Sequence, residues 1–555
     1  MTGVETNTND GPPAASTYNL ADQWEAIADR VGDREAVVAG ERRLTYAQLE
    51  DRANRLANHL RANGVGPGDF VGCYLTNGTE YLETLLATFK IRAVPVNVNY
   101  RYVADELRYL FADAGLVAVV CDQRFVPRVA EIASDVPSLR HTLVVPDADA
   151  DTVDLDAVPD GRDYEEALAA APCDRPVVEG RGDDDVYVIY TGGTTGMPKG
   201  VVWRMGDAFF GCIGGGDPLR MSGPVSSPEE TVERIIDFDF NFYALAPMMH
   251  AAAQWVSIMW LLCGAKVILH QGRFDPTVVW RTVEDEKVSF LTVVGDAMAR
   301  PLLDDWDDNG PYEVSSLYSF SNGGAPISPT ARARIQSILP NAMFTDGFGS
   351  SETGIQGSQR LQPGEDPGNV IRYDNVADGT KVLDLDGHEV EPGSGVVGRI
   401  AHTGWIPLRY HNAPEKTAEA FFTVDGRRYV VSGDMATVEA DGSVILLGRG
   451  SVSINTGGEK VYPEEVEGVL KGHPAVYDTV VVGVPHERWG EQVVAVIQPV
   501  EGESPTLADI EPFLREQLAG YKVPRRILLV DEVVRSPAGK ADYRWAKSVA
   551  ADSTA

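Results

Sequence analysis

The chain is poor in sulfur, poor in positive charge and without a long apolar run. Its five cysteines (Cys73, Cys121, Cys173, Cys212, Cys263) have no CxxC or ligand spacing among 555 residues. That excludes a disulfide framework and a thiolate metal centre, and reads as small buried side chains in a reducing compartment. Lys and Arg number 48 against 82 Asp and Glu, a net charge of −34. A surface of that sign repels a phosphate backbone, so no nucleic acid is expected as partner. The most apolar window, residues 251–269, is interrupted by Gln254, Ser257, Gly264 and Lys266. A bilayer span needs about 20 mostly apolar residues, so this window reads as a buried helix followed by a strand, and no integral membrane segment is expected. The opening MTGVETNTNDGPPAAS has neither a basic nor an apolar stretch of a secretory leader, and a cytoplasmic protein is expected.

What is present is an ordinary globular composition with 44% hydrophobic residues, enough for a large core without staples. Asn19 is placed to cap a helix with Leu20, Trp24, Ile27 and Val31 on one face. Thr45 and Gln48 form a capping-box pair ahead of Leu49, Ala53, Leu56 and Leu60. Strand-like 70–75, helix-like 80–90, strand-like 93–98, a helix from about 104 and strand-like 117–121 continue the alternation. Repeated helix and strand predict an α/β fold with a largely parallel sheet. Residues 146–184, rich in Asp, Ala and Pro, read as solvated loop with one short helix, and a second α/β stretch covers roughly 185–345. From about 382 short strands and Gly turns predict a small β-rich subdomain, and a compact α+β segment follows residue 448. The expected division is 1–448 for a large N-terminal domain and 449–555 for a small C-terminal one.

Residues 190–200 read Tyr-Thr-Gly-Gly-Thr-Thr-Gly-Met-Pro-Lys-Gly between two apolar runs. Glycines let backbone N–H groups close on phosphate oxygens, hydroxyls add donors, and Lys199 adds a positive charge. A nucleotide triphosphate is the expected ligand. Pro198 before the lysine and Gly200 after it fit a loop between strands, unlike a P-loop that opens a helix.

This stretch resembles the phosphate loop of the adenylate-forming superfamily, which includes acyl-CoA synthetases, luciferases and peptide-synthetase adenylation domains. Gly192 stands where most of that family has serine, as in a subgroup of bacterial acyl-CoA synthetases. Further signatures of the family follow. Gly347-Phe348-Gly349-Ser350-Ser351-Glu352 resembles the Tyr-Gly-x-Thr-Glu signature, which implies Mg2+ at Glu352, α-phosphate at Ser351 and adenine on the Phe348 ring. Asn322-Gly323-Gly324-Ala325 resembles the wall of the adenine and acyl sites, with Asp346 toward the adenine amino group. Asp434 in Ser-Gly-Asp, and Arg449 after Gly448, are implied at the ribose. Thr456-Gly457-Gly458-Glu459 resembles the pantetheine-tunnel loop, and Gly539-Lys540 the C-terminal signature with the adenylation lysine.

The resemblance implies ATP and Mg2+ as cofactors, with CoA as co-substrate. Thr191, Gly193, Thr194, Thr195, Gly196 and Lys199 would hold phosphates, with Thr191 beside the metal. Pro247 to His250 occupy the acyl gate, where amino-acid-activating relatives carry Phe-Asp. With no such acid here, an uncharged tail is expected, walled by His250, Trp255, Val294 and Gly295. Ser451 stands at the hinge position, where the family has Asp or Lys. The activity implied is an acyl-CoA ligase for a medium-to-long fatty acid or sterol side-chain acid. The partner is a small-molecule carboxylic acid, with at most a second copy of the chain as a homodimer. A stand-alone acyl-AMP ligase feeding a carrier protein, a luciferase-type oxygenase and a non-catalytic nucleotide-binding protein are the alternatives that share these motifs.

Overall fold

The computed structural model describes residues 15–147, 152–192, 197–365, 371–457, 459–486, 488–535 and 539–552. Gly193, Thr194, Thr195, Gly196 and Gly458, all expected at binding loops, lie outside the described residues. The fold is α/β, and the chain packs as two compact units, residues 1–273 with 407–414 and residues 274–406 with 415–555. The 448/449 boundary expected from the sequence falls inside the second of these units.

In the first unit a parallel sheet runs in the order Val94–Asn97, Phe70–Tyr74, Ala118–Asp122, His141–Val145, Gly161–Asp163. Helices Tyr46–Ala62, Thr79–Lys90 and Ala104–Ala114 alternate with its strands. The residues of Ala118–Asp122 are all buried, as a strand covered on both faces must be. Asn19 does cap Leu20–Val31, its Oδ1 accepting from the Ala21 amide, and the Thr45/Gln48 capping box is formed at Tyr46. The 251–269 window folds as helix Ala251–Leu261 and strand Lys266–Leu269, with a turn at Gly264 whose φ of 76° suits glycine. The acidic 146–184 stretch is more ordered than its composition suggests. Besides helix Tyr164–Ala170, which Asp163 caps, it adds Gly161–Asp163 as the edge strand of the parallel sheet. Three residues of alternating partial burial carry too little pattern to be read as a strand.

In the second unit Phe290–Val293, Ser319–Gly323 and Met343–Ser350 pair in parallel, and Gly354–Leu361 returns antiparallel beside the last. The β-rich part is a five-stranded antiparallel sheet of Thr380–Leu383, Gly398–Thr403, Phe421–Val424, Arg427–Val438 and Val444–Arg449. The last hundred residues build a sheet around the long hairpin Val476–His486 and Gly490–Pro499. Its alternation explains two cores. Val481, Val493, Ala495 and Ile497 face Val466, Ile510 and Leu514, while Val480, Val482, Val494 and Val496 face Ala546 and Ala550.

Candidate active site

In the first unit the phosphate-loop segment is a hairpin. Val186–Thr191 pairs antiparallel with Lys199–Arg204, and Thr191 lies opposite Lys199. The two strands of that reading are observed, with Thr191 and Lys199 at their facing ends. The Lys199 ammonium stands 5.5 Å from the centroid of Tyr410, on the short strand Arg409–Tyr410 that pairs with Lys199–Arg204.

Three side-chain amides, Asn97 and Gln254 buried and Asn77 half-buried, none legible as functional in the sequence, fix this hairpin and the Pro247–His250 stretch. Asn97 donates through Nδ2 to the carbonyls of Tyr190 (2.8 Å) and Met249 (2.7 Å), and its Oδ1 accepts from the Tyr190 amide. Asn77 donates to the Ala246 carbonyl and accepts from the Met248 amide, and Gln254 donates to the Met248 carbonyl. Each satisfies backbone groups that neither strand nor helix could pair. His250 is the residue before helix Ala251–Leu261, and Trp255, on that helix, is buried edge-on against Trp203. Met248 and Met249 are buried too. Trp255, expected in the acyl wall, is thus buried in this unit beside these methionines of the gate stretch.

The second unit brings together most of the other expected residues. Asn322 ends the buried part of strand Ser319–Gly323, opposite Asp346 on Met343–Ser350. Its Nδ2 donates to Asp346 Oδ1 (3.1 Å) and to the Ala325 carbonyl (3.0 Å), and its Oδ1 accepts from the Gly295 amide (2.7 Å). One side chain therefore ties Val294-Gly295, Gly323-Gly324-Ala325 and Asp346-Gly347 together. Gly295 has a φ of 59°, and a Cβ there would lie 2.7 Å from the Pro326 carbonyl oxygen. The close approach demands glycine.

Asp346 is buried, and its Oδ2 makes no hydrogen bond to any described residue. Burial pushes its carboxyl up to about 7, against the opposing pull of Asn322 and Arg332. A buried orphan acceptor is costly unless something donates to it, and an exocyclic amino group of a purine would do so.

Glu352 sits in the turn between Met343–Ser350 and Gly354–Leu361, next to Ser351, where Thr353 closes the turn on Ser350. Phe348 rests on the Tyr373 ring at 4.4 Å between centroids, so one of its faces is already packed. The bulge between Phe348 and Gly349 turns the chain toward Glu352.

Asp434 and Arg449 are directly opposed on adjacent antiparallel strands, with Arg449 Nε 3.7 Å from Asp434 Oδ1. Ser432 Oγ donates to Asp434 Oδ2 at 2.6 Å. Lys540 joins this group: its side chain reaches solvent, yet protein crowds it. Desolvation, then the Arg449 charge, lower its pKa, and Glu352, Asp434 and Glu464 oppose the fall. Lys540 thus lies within electrostatic reach of Glu352, Asp434 and Arg449, residues that the sequence singled out far apart along the chain. Glu464, in the first turn of helix Pro463–Leu470, was not among the expected residues. Burial pushes it up to about 7, with Glu467 and Asp434 adding to the rise and Arg449 and Lys540 opposing it. Gly448 makes room for it, since a Cβ there would come 2.7 Å from the Glu464 carboxylate. Pro463-Glu464 looks in sequence like any capped helix start, so only packing could expose this residue.

Ser451 is exposed in a short turn, Gly450–Val452, directly after Arg449. Thr456 and Glu459 face each other across the hairpin Ile454–Thr456 and Glu459–Val461, with Gly457 at its tip donating to the Trp489 carbonyl.

Comparison with known proteins agrees with this geometry. The AMP-binding enzyme family matches residues 24–404, and the AMP-binding enzyme C-terminal domain matches residues 465–540. The chain is 46% identical over 537 residues, 95% of each chain, to a 3-oxocholest-4-en-26-oate–CoA ligase of Rhodococcus rhodochrous. It is also 46% identical, over 96% of each, to a medium/long-chain-fatty-acid–CoA/3-oxocholest-4-en-26-oate–CoA ligase of Mycobacterium tuberculosis. Among solved structures, ATP-bound MatB of Rhodopseudomonas palustris superposes with a TM-score of 0.79 at 26% identity, covering 97% of this chain and 100% of that one. The anthranilate CoA ligase AuaEII with anthranoyl-AMP shares the fold, with a TM-score of 0.80 at 22% identity over 97% and 98% of the two chains. The chain belongs to the AMP-binding enzyme family. The relatives named with it are acid–CoA ligases, and no described helix is long and apolar enough to cross a membrane.

Proposed function

We propose that this chain joins a carboxylic acid to CoA in two half-reactions. In the first, a substrate carboxylate oxygen bonds to the α-phosphorus of ATP and the bond to pyrophosphate breaks, giving acyl-AMP. In the second, the CoA sulfur bonds to the acyl carbonyl carbon, AMP leaves, and the thiol proton goes to solvent. The convergence of Lys540 with Glu352, Asp434 and Arg449 in one unit carries this reading. The Lys540 ammonium would stabilise negative charge as it gathers on the α-phosphate oxygens. Asp434 and Arg449 would hold the ribose hydroxyls, and Asp346 Oδ2 would accept from the adenine amino group. Thr191 and Lys199, with the glycine-rich turn between them, would steady the β- and γ-phosphates. Positioning and electrostatics suffice, and no protein nucleophile is needed.

Glu352, with a hard carboxylate oxygen, suits Mg2+, and ATP would bring its own phosphate oxygens. When bound, the ion would neutralise phosphate charge. For the second step, residues 449–555 would turn about Ser451 against 1–448, withdrawing Lys540 and presenting the Thr456–Glu459 hairpin to the pantetheine arm. The substrates named for two of the relatives, together with a Pro247–His250 gate without an acid, support a medium-to-long fatty acid or sterol side-chain acid. Pyrophosphate release across acids of increasing size, with and without CoA, tests this. Release with fatty or steroid acids and a CoA thioester as product are expected. Adenylate formation without CoA consumption would point to a carrier-protein acceptor instead.

A further inference from the structure

A second group of charges in the same unit, outside the nucleotide residues, forms a continuous chain that ends at Lys540. It begins at Asp296, the first residue of helix Asp296–Asn309, whose Oδ1 accepts from the amide (2.8 Å) and hydroxyl (3.1 Å) of Ser328. Asp296 is thus bound to the segment that follows the Gly323-Gly324-Ala325 wall. Its Oδ2 faces Lys471 Nζ at 3.5 Å and Arg300 Nε at 3.5 Å. Lys471, 5% exposed, also lies 3.4 Å from Asp478. Asp478 takes a two-pronged contact from Arg535, at 2.6 and 2.7 Å. Arg535 Nη1 then donates to the Gly539 carbonyl at 3.1 Å, one residue before Lys540. Gly539 itself fits because it is glycine. A Cβ there would stand 3.0 Å from the Val294 carbonyl oxygen and 3.1 Å from the Ala297 Cβ.

We propose that Asp296 and Lys471 are positioning residues. They form a buried ionic clasp that holds the Lys540 segment against the adenine wall while the acyl-adenylate forms, and that must part before thioester formation. The inference rests on the two-step reading above. Every contact across the clasp joins residues 290–330 to residues 471–541, the two stretches that the proposed turn about Ser451 would separate. A carboxylate, an ammonium, a second carboxylate and a guanidinium alternate along it, so each charge is compensated while the clasp is closed. Its rim is reinforced where the Tyr477 hydroxyl donates to Asp304 (3.0 Å) with Arg300 5.0 Å over the Tyr477 ring, and where Thr330 Oγ1 donates to the Lys471 carbonyl (3.2 Å). A purely structural pair would affect both half-reactions alike, whereas a clasp present in one pose affects one.

The test separates the half-reactions in the full-length enzyme. Lys471→Met should slow pyrophosphate release by about ten- to a hundredfold, as a misplaced catalytic group does. Thioester formation from supplied acyl-adenylate and CoA should stay within about twofold, and Lys471→Arg should restore much of the first rate. Tyr477→Phe, at the half-exposed rim and safe for folding, should slow the first step by about threefold and leave the second unchanged. If Lys471→Met does not fold, Tyr477→Phe alone decides. Equal loss in both steps, or no loss in the first, overturns the clasp. A wild-type enzyme that performs neither half-reaction with any acid in the panel overturns the two-step reading, and the clasp with it.

Discussion

Replacing Asp346 with asparagine probes the nucleotide pocket through a single atom. Asn322 Nδ2 already donates to one oxygen at this position, so the asparagine oxygen must turn toward Asn322 and its amide nitrogen takes the place of Oδ2. An orphan acceptor becomes a donor, facing an adenine amino group that is also a donor. Above pH 7, where the carboxyl is ionised, a hydrogen bond to the charged acceptor contributes about 1.5–3 kcal/mol, which is roughly ten- to a hundredfold in the KM for ATP. Inosine triphosphate carries a carbonyl where adenine has its amino group and should gain by a similar factor. The ratio of kcat/KM for the two nucleotides, from pyrophosphate release at saturating acid, reads the exchange directly. The variant also has a stability signature. The wild-type carboxyl titrates at about 7 when folded, well above an ordinary carboxylate. Between pH 4 and 7 the unfolded chain is ionised while the folded one keeps its proton, so wild-type stability falls as pH rises. Some three pH units at 1.36 kcal/mol each bound the fall at about 4 kcal/mol. Asp346→Asn escapes it and should gain on the wild type from pH 5 to pH 8 in urea unfolding. An unchanged ATP-to-inosine preference would refute the assignment of Oδ2 to the base.

Further outcomes follow from the same geometry. Lys540→Ala should lower acyl-adenylate formation by at least about a hundredfold, as for loss of one key oxyanion donor, while thioester formation from supplied acyl-adenylate is much less affected. Glu464→Gln removes one of the three acids that keep Lys540 protonated. Its adenylation rate should therefore fall away at lower pH on the basic side than in the wild type, as a pH–rate profile of pyrophosphate release will record. Asn97→Ala strands three backbone groups of the Tyr190 and Met249 segments and should cost about 2–4 kcal/mol of stability, measured by urea unfolding.

The sequence made the motif-bearing residues legible because glycines and charged groups at tight spacing have few other uses. Asn19, Thr45 and Gln48 were readable for a similar reason, since caps act within four residues. Glu464, Asn97 and the Asp296–Lys471 pair were not. Most of their partners lie 15 to 175 positions away along the chain, and a lone acid, amide or lysine carries no local pattern. Trp255 is a further case: its gate position gives no packing partner, and the sequence could not foretell that its ring meets Trp203 edge-on. Phe348 is similar, for Tyr373, distant in sequence, takes one face of the ring that the motif alone would give to adenine.

The most direct measurement is the fate of ATP in a single turnover. Enzyme, ATP, Mg2+ and a fatty or steroid acid, quenched before CoA is added, should yield acyl-AMP and pyrophosphate in equal amounts. After CoA is added, AMP and acyl-CoA should appear one for one. ADP and inorganic phosphate in their place would mean attack at the terminal phosphate, and a lysine poised at the innermost one would have no role.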